Sequence, residues 1–137
     1  SKTIKRLTAQ ADRVLLDVPC SGLGVLRRNP DTKWKLSGEE MDRLKGLQAE
    51  ILENYSRMVR PGGKLVYATC SILPGENEHQ VQKFMLLHPG EWELEAELRR
   101  SPLDGGFDGF YAARLVRITQ TIEPVTLTEQ EILQLAA

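Results

Sequence analysis

The chain has 137 residues, 41% of them hydrophobic and 27% charged, the ordinary balance of a soluble globular protein and enough for one domain, or part of one, with a real core. Lys and Arg number 18 against 19 Asp and Glu, so no global basic field announces nucleic acid, and any such binding must be local. No apolar run approaches the roughly 18 residues of a membrane span, the amino terminus Ser1-Lys2-Thr3-Ile4-Lys5-Arg6 lacks the apolar centre of a signal peptide, and the 2 cysteines form no disulfide framework, so the expected setting is reducing, intracellular and cytoplasmic.

Residues 1–12 carry no strong pattern. Arg13-Val14-Leu15-Leu16-Asp17-Val18-Pro19-Cys20-Ser21-Gly22 then reads as a short apolar strand, followed by a proline that cannot donate to a ladder and by a cysteine just past the strand end. From Ser21 to Lys35 runs a long loop with glycines at its start and Arg27, Arg28, Lys33 and Lys35 around Asn29-Pro30-Asp31, a length that in compact domains tends to carry function. The alternative for this loop is a solvated surface segment with Trp34 pinned on the core. Ser37 and Glu40 form an S-x-x-E capping box. Met41, Leu44, Leu47, Ile51, Leu52, Tyr55, Met58 and Val59 follow at helical spacing, and Pro61-Gly62-Gly63 stops that helix.

Lys64-Leu65-Val66-Tyr67-Ala68-Thr69-Cys70-Ser71 is the second strand, closed by Pro74-Gly75. Strand, helix, strand is a βαβ unit, whose right-handed crossover leaves the strands parallel with their carboxyl ends on one edge of the sheet, where α/β folds bind ligands. Both cysteines end such a strand and both are followed by serine, so Cys20 and Cys70 are expected in one cleft. A second helix starts near Asn77, turns Val81, Phe84 and Met85 inward and ends at Pro89-Gly90. Trp92 to Leu98 alternates apolar and acidic, as a half-buried strand does. Beyond the polar, glycine-rich stretch from Ser101 to Asp108, Gly109 to Ile118 is a stronger strand. No helix separates these two, so they are expected as an antiparallel hairpin at the edge of a mostly parallel α/β sheet. The tail from Thr119 holds Pro124 and a second capping box at Thr128 and Glu131, giving a short terminal helix or a loose end.

Two buried cysteines serve packing more often than catalysis. Here they gather at matching strand ends, one of them three residues after Asp17, as a functional constellation does. No metal site is expected, since zinc takes about four ligands, and His79 and His88 sit on a different element and read as plain surface residues.

Three stretches carry a resemblance. Asp17-Val18-Pro19-Cys20-Ser21-Gly22-Leu23-Gly24 is followed by Arg28-Asn29-Pro30-Asp31 with Lys33-Trp34, and then by Tyr67-Ala68-Thr69-Cys70-Ser71 with Glu76-Asn77-Glu78. Together they resemble the Sun/Fmu family of RNA cytosine-5 methyltransferases, and Asp108 to Leu115 is similar to that family's last strand, so the likeness spans about residues 12 to 118. The resemblance implies part of a Rossmann-like sheet that binds S-adenosylmethionine, with Cys70 attacking carbon 6 of the target cytosine, Cys20 helping to release the product, and Asp17, with Pro19 beside it, lying against the methyl donor and the base. The chemistry needs such a set: carbon 5 of cytosine is a poor nucleophile until a thiolate adds at carbon 6, and a proton on, or hydrogen bond to, ring nitrogen 3 must stabilise the developing charge, which a carboxyl group such as Asp17 can supply if its pKa is raised. The target base must leave its stack, and Arg27, Arg28, Lys33 and Lys35 are the candidates for the flanking phosphates, of rRNA ahead of tRNA.

The glycine-rich donor loop of that family has no counterpart here. Residues 1–118 are therefore expected to be the carboxyl-terminal half of a catalytic domain, with 119–137 as a tail, and the missing amino-terminal half or a second copy as partner over the open edge of the first strand. Two alternatives stand: a non-catalytic RNA-binding or assembly module on the same scaffold, and a dithiol redox switch.

Overall fold

A computed structural model describes residues 1–105, 108–119 and 128–136; residues 106–107 of the glycine-rich loop and Pro124 of the tail lie outside them. The apolar run expected as the first strand is β1 (Ala11–Asp17), preceded by a five-residue helix, α1 (Lys2–Arg6), in a stretch that shows no pattern in the sequence. A four-residue helix, α2 (Thr32–Lys35), interrupts the long loop. Ser37 caps α3 (Gly38–Tyr55), its Oγ accepting from the Glu40 N–H at 3.1 Å. The reciprocal arm of the capping box is not made: Glu40 turns its carboxylate to Arg43 instead, at 2.6 Å, three residues along the exposed surface of the helix.

The helix ends earlier than the proline-glycine run suggests. After Tyr55 the chain tightens into a 3-10 turn at Ser56–Met58, and β2 (Val59–Thr69) already begins at Val59. Met58 and Val59 therefore leave the helical stripe, and Tyr55 is 38% exposed. Pro61 is tolerated in a central strand because the pairing to β1 jumps from Ala11↔Val59 to Arg13↔Lys64, so it falls in a bulge that asks for no ladder donor.

α4 (Glu78–Leu87), β3 (Trp92–Arg100), β4 (Phe110–Arg117) and α5 (Glu129–Ala136) complete the described elements. At α5 both arms of the capping box are made, Glu131 N–H to Thr128 Oγ1 at 3.3 Å and Thr128 N–H to Glu131 Oε2 at 3.0 Å. The sheet order is β1-β2-β4-β3. β1 and β2 are parallel, and β4 is antiparallel to both β2 and β3. Three strands thus run one way, with β4 reversed between β2 and β3. The antiparallel hairpin is present as expected, and its second strand is the one inserted beside β2.

Leu16, Val18, Leu65, Tyr67, Tyr111, Ala113 and Leu115 share the face that packs with Leu52 of α3 and with Val81 and Phe84 of α4. Burial of Leu65 and Leu115 is complete, worth about 1.5–3 kcal/mol each against exposure. The alternation expected to send Ala96 and Leu98 inward breaks at a bulge between Leu94 and Ala96. One extra residue reverses the pleat, so only Trp92 and Leu94 join the core, Leu98 is 42% exposed, and Glu97 accepts a 2.6 Å hydrogen bond from the Tyr111 hydroxyl on the core side. β1 is an edge strand with Leu15 69% exposed.

Candidate functional site

At the carboxyl edge of the sheet the ladder between β1 and β2 ends with Asp17↔Ala68 and a last bond from the Val18 N–H to the Ala68 carbonyl at 3.1 Å. Both chains then turn into the loops that carry the cysteines. Cys20 and Cys70, fifty residues apart, bring their sulfurs to 3.1 Å, each half-buried. The βαβ reading expects the two cysteines in one cleft; the direct contact of their sulfurs goes beyond it.

What holds the loops together is a carboxylate. Glu76, at the end of the 3-10 turn Pro74–Glu76, is fully buried. Its Oε1 accepts from the Ser21 N–H at 2.7 Å and from Gln48 Nε2 at 3.2 Å. Its Oε2 accepts from Ser21 Oγ at 2.7 Å and from Ser71 Oγ. Gln48 also donates to the Pro19 carbonyl at 2.9 Å, and Tyr67 donates its hydroxyl to the Glu76 carbonyl at 2.6 Å. Asn77 continues the net, accepting from Thr69 Oγ1 and donating to the Ser71 carbonyl at 2.8 Å. No described buried side-chain nitrogen or oxygen lacks a partner, as a buried carboxylate demands.

Glycines complete the frame. The Gly24 N–H donates to the Cys70 carbonyl at 2.9 Å, and the Gly109 N–H donates to the Gly24 carbonyl at 2.7 Å. A β-carbon on Gly24 would stand 2.6 Å from the first oxygen and 2.1 Å from the Gly109 oxygen. Only glycine lets three backbones meet there.

Burial, and next the hydrogen bond with Cys70, push the Cys20 thiol up to about 12, so Cys20 holds its proton at neutral pH. Tyr67 is raised as well, by burial first and then by the Glu76 and Cys20 charges.

The remaining sequence candidates fall around this pair. Asp17 and Pro19 lie exposed on the lip at the end of β1. Arg27, Arg28, Lys33 and Lys35 are exposed on the loop that leaves Cys20; Arg28 pairs with Asp108 at 2.5 Å, and Lys33 stands 4.9 Å from the Trp34 ring centroid. Trp34 is 79% exposed rather than pinned on the core. Beside the site, a hollow is lined by Leu23, Gly24, Leu26, Arg27, Ile72 and Ser101, among others. His79 is exposed as expected. His88 is not a plain surface residue: its ring nitrogens lie 2.6 Å from Glu53 Oε2 and 2.7 Å from Glu91 Oε2, bridging the end of α4 to α3.

Sequence reasoning assigns no role to Glu76, Gln48, Ser21 or Ser71. The available signals are a serine after each cysteine, and a glutamine between Leu44 and Leu52 on the stripe that α3 buries.

A family model described as 16S rRNA methyltransferase RsmB/F matches residues 1–116. Ribosomal RNA small subunit methyltransferase B of Shewanella oneidensis is 41% identical over 120 residues, covering 80% of this chain and 28% of that protein. The protein of that name from Vibrio vulnificus is 44% identical over 113 residues, covering 79% and 26%. The chain thus spans about a quarter of the length of these relatives. Among solved structures, NSun6 from Pyrococcus horikoshii, solved with SFG, matches at a TM-score of 0.71 and 28% identity over 88% of this chain and 33% of that one. A methyltransferase homolog protein from the same organism matches at 0.68 and 27%, over 84% and 42%.

Proposed function

The chain belongs to the 16S rRNA methyltransferase RsmB/F family, and on that premise we propose that it carries the cysteine face of an RNA cytosine-5 methyltransferase that uses S-adenosylmethionine. The observation behind this reading is the 3.1 Å approach of Cys20 and Cys70 at the carboxyl edge of parallel strands, where a flipped base can reach both sulfurs.

Cys70 is the nucleophile. Its thiolate adds to carbon 6 of the cytosine, the ring electrons shift toward carbon 5, and Asp17, acting as the neutral acid, donates a proton or hydrogen bond to ring nitrogen 3, where negative charge develops. S-adenosylmethionine, whose analogue SFG accompanies the NSun6 relative, supplies the electrophilic methyl group, and Asp17 and Pro19 form this chain's margin of its site. Cys20 serves release. The carbon-5 proton has to leave before the carbon 6–sulfur bond breaks and returns its electron pair to Cys70. Cys20, whose sulfur lies 3.1 Å from the departing one and which holds its proton at neutral pH, hands that proton to the Cys70 sulfur and takes the carbon-5 proton in its place. Arg27, Arg28, Lys33 and Lys35 hold phosphates of a single-stranded or opened segment of rRNA.

A dithiol redox switch is the second reading, drawing on the same sulfur contact. Transfer of a labelled methyl group to cytosine carbon 5 of small-subunit rRNA tests the two in the full-length protein: methylation lost in Cys70→Ala supports the transferase, and methylation indifferent to Cys70 contradicts it.

A further inference from the structure

We propose that Glu76 is a positioning residue that couples product release to adduct formation, by clamping the Cys20 loop and the Cys70 loop onto one carboxylate. The inference rests on the cysteine roles given above. It adds a residue that touches neither sulfur and sets their relation.

The argument begins where the sheet stops. Past the Val18 N–H bond to Ala68 no ladder ties β1 to β2, and the next backbone link between the two loops is from Gly24 to Cys70. Within that gap lie Pro19-Cys20-Ser21 on one side and Cys70-Ser71 on the other. Ser21 gives Glu76 both its N–H and its hydroxyl, and Ser71 gives its hydroxyl. Each serine directly follows a cysteine, so any displacement of the carboxylate moves both cysteine backbones. Gln48 fixes the carboxylate from α3 and the Pro19 carbonyl from the same amide nitrogen, so the clamp is referenced to the core.

Glu76 is not itself a candidate acid or base for the substrate. It is fully buried, and its two oxygens already accept from four donors, which uses the acceptor capacity of a carboxylate. Hydrogen bonds to an ionised group are the stronger kind and hold geometry accordingly. Losing one arm should leave β1 and β2 paired and allow the two sulfurs to drift apart. Cys70 would still add to the base and methylation would still occur once, while Cys20 would no longer stand where the carbon-5 proton must be taken, so the adduct would accumulate.

Two readouts test this. In the first, without RNA, the diazene oxidant diamide converts the two thiols to a disulfide; the sulfurs lose two electrons and two protons, and the N=N bond takes them up as a hydrazide. The rate reports how often the sulfurs meet. Ser21→Ala and Ser71→Ala should each slow it about tenfold, the effect of losing one hydrogen bond to a charged group. Glu76→Gln, whose amide can still span both serines but only through weaker neutral hydrogen bonds, should fall between the wild type and the serine variants. In the second, with small-subunit rRNA and S-adenosylmethionine in the full-length protein, the serine variants should raise the ratio of denaturation-resistant adduct to released product. That ratio is normalised to active protein, so a loss of folded material does not move it.

Should Ser71→Ala fail to fold, Ser21→Ala, which leaves the Ser21 N–H bond in place, carries the test. An unchanged disulfide rate in the serine variants overturns the clamp. A slowed disulfide with a wild-type ratio of adduct to product overturns the coupling. Absence of adduct in every variant, Cys20→Ala included, overturns the catalytic reading and the coupling with it, and a slowed disulfide would then still identify the clamp as the device that pairs the sulfurs.

Discussion

Alanine at Gly24 would place a methyl carbon 2.1 Å from the Gly109 carbonyl oxygen and 2.6 Å from that of Cys70. Neither neighbour is a side chain that can swing away, and Gly24 is not among the glycines held at positive φ, so the cost is contact rather than backbone strain. Overpacking of this kind costs about 1–3 kcal/mol, and stretching the bonds from Gly24 N–H to Cys70 and from Gly109 N–H to Gly24 adds about 1 kcal/mol each, for a loss of about 3–5 kcal/mol. With a urea slope of about 1–3 kcal/mol per M, the unfolding midpoint should fall by roughly 1–5 M. Gly46 is the control. It lies within α3, and a β-carbon added there would meet nothing within 4 Å, so Gly46→Ala should stabilise by about 0.5–1 kcal/mol. Urea unfolding of both variants followed by circular dichroism checks the pair, and a Gly24→Ala midpoint within error of wild type would refute the crowded crossing.

Ser37→Ala removes the acceptor at the start of α3 and should cost about 1 kcal/mol in the same measurement. At His88 burial lowers the pKa, but the hydrogen bonds to Glu53 and Glu91 outweigh it, so the imidazole titrates above its usual 6.5. A raised folded value means that the pairing stabilises fully below 6.5 and is lost as pH rises through the folded value. The Tm difference between wild type and His88→Ala should therefore be largest at about pH 5–6 and shrink toward alkaline pH; a constant or growing difference would contradict the bridge. Replacing Lys33 or Lys35 with glutamine should weaken RNA binding irrespective of sequence and reduce the slope of log K against log salt by about 0.7 per lysine, measured by a salt titration of affinity.

The cysteine pair is legible in the sequence because it depends on topology: two strands ending alike, joined through one helix, place their carboxyl ends together whatever the details between. The details are less legible. Helical periodicity treats a polar residue within an apolar stripe as an interruption, so Gln48 does not stand out, although burial between Leu44 and Leu52 is what brings it to Glu76. Glu76 itself lies within a motif but has no set of partners visible along the chain, since its donors come from residues 28 and 55 positions away as well as from nearby Ser71. The bulges at Pro61 and between Leu94 and Ala96 depend on how a partner strand is registered, and strict alternation cannot report that. The helix α1 and the early end of α3 are local backbone outcomes that the apolar pattern does not encode.

The division of labour between the two sulfurs is tested most directly by denaturing gel electrophoresis of the full-length protein incubated with small-subunit rRNA and S-adenosylmethionine, comparing Cys70→Ala with Cys20→Ala. Cys70→Ala should give no covalent protein–RNA species and no 5-methylcytosine. Cys20→Ala should give a protein–RNA band that survives denaturation and carries the transferred methyl group, because addition and methylation proceed and release does not. A band that persists in Cys70→Ala and disappears in Cys20→Ala would reverse the assignment, and no band in either variant would contradict the covalent mechanism.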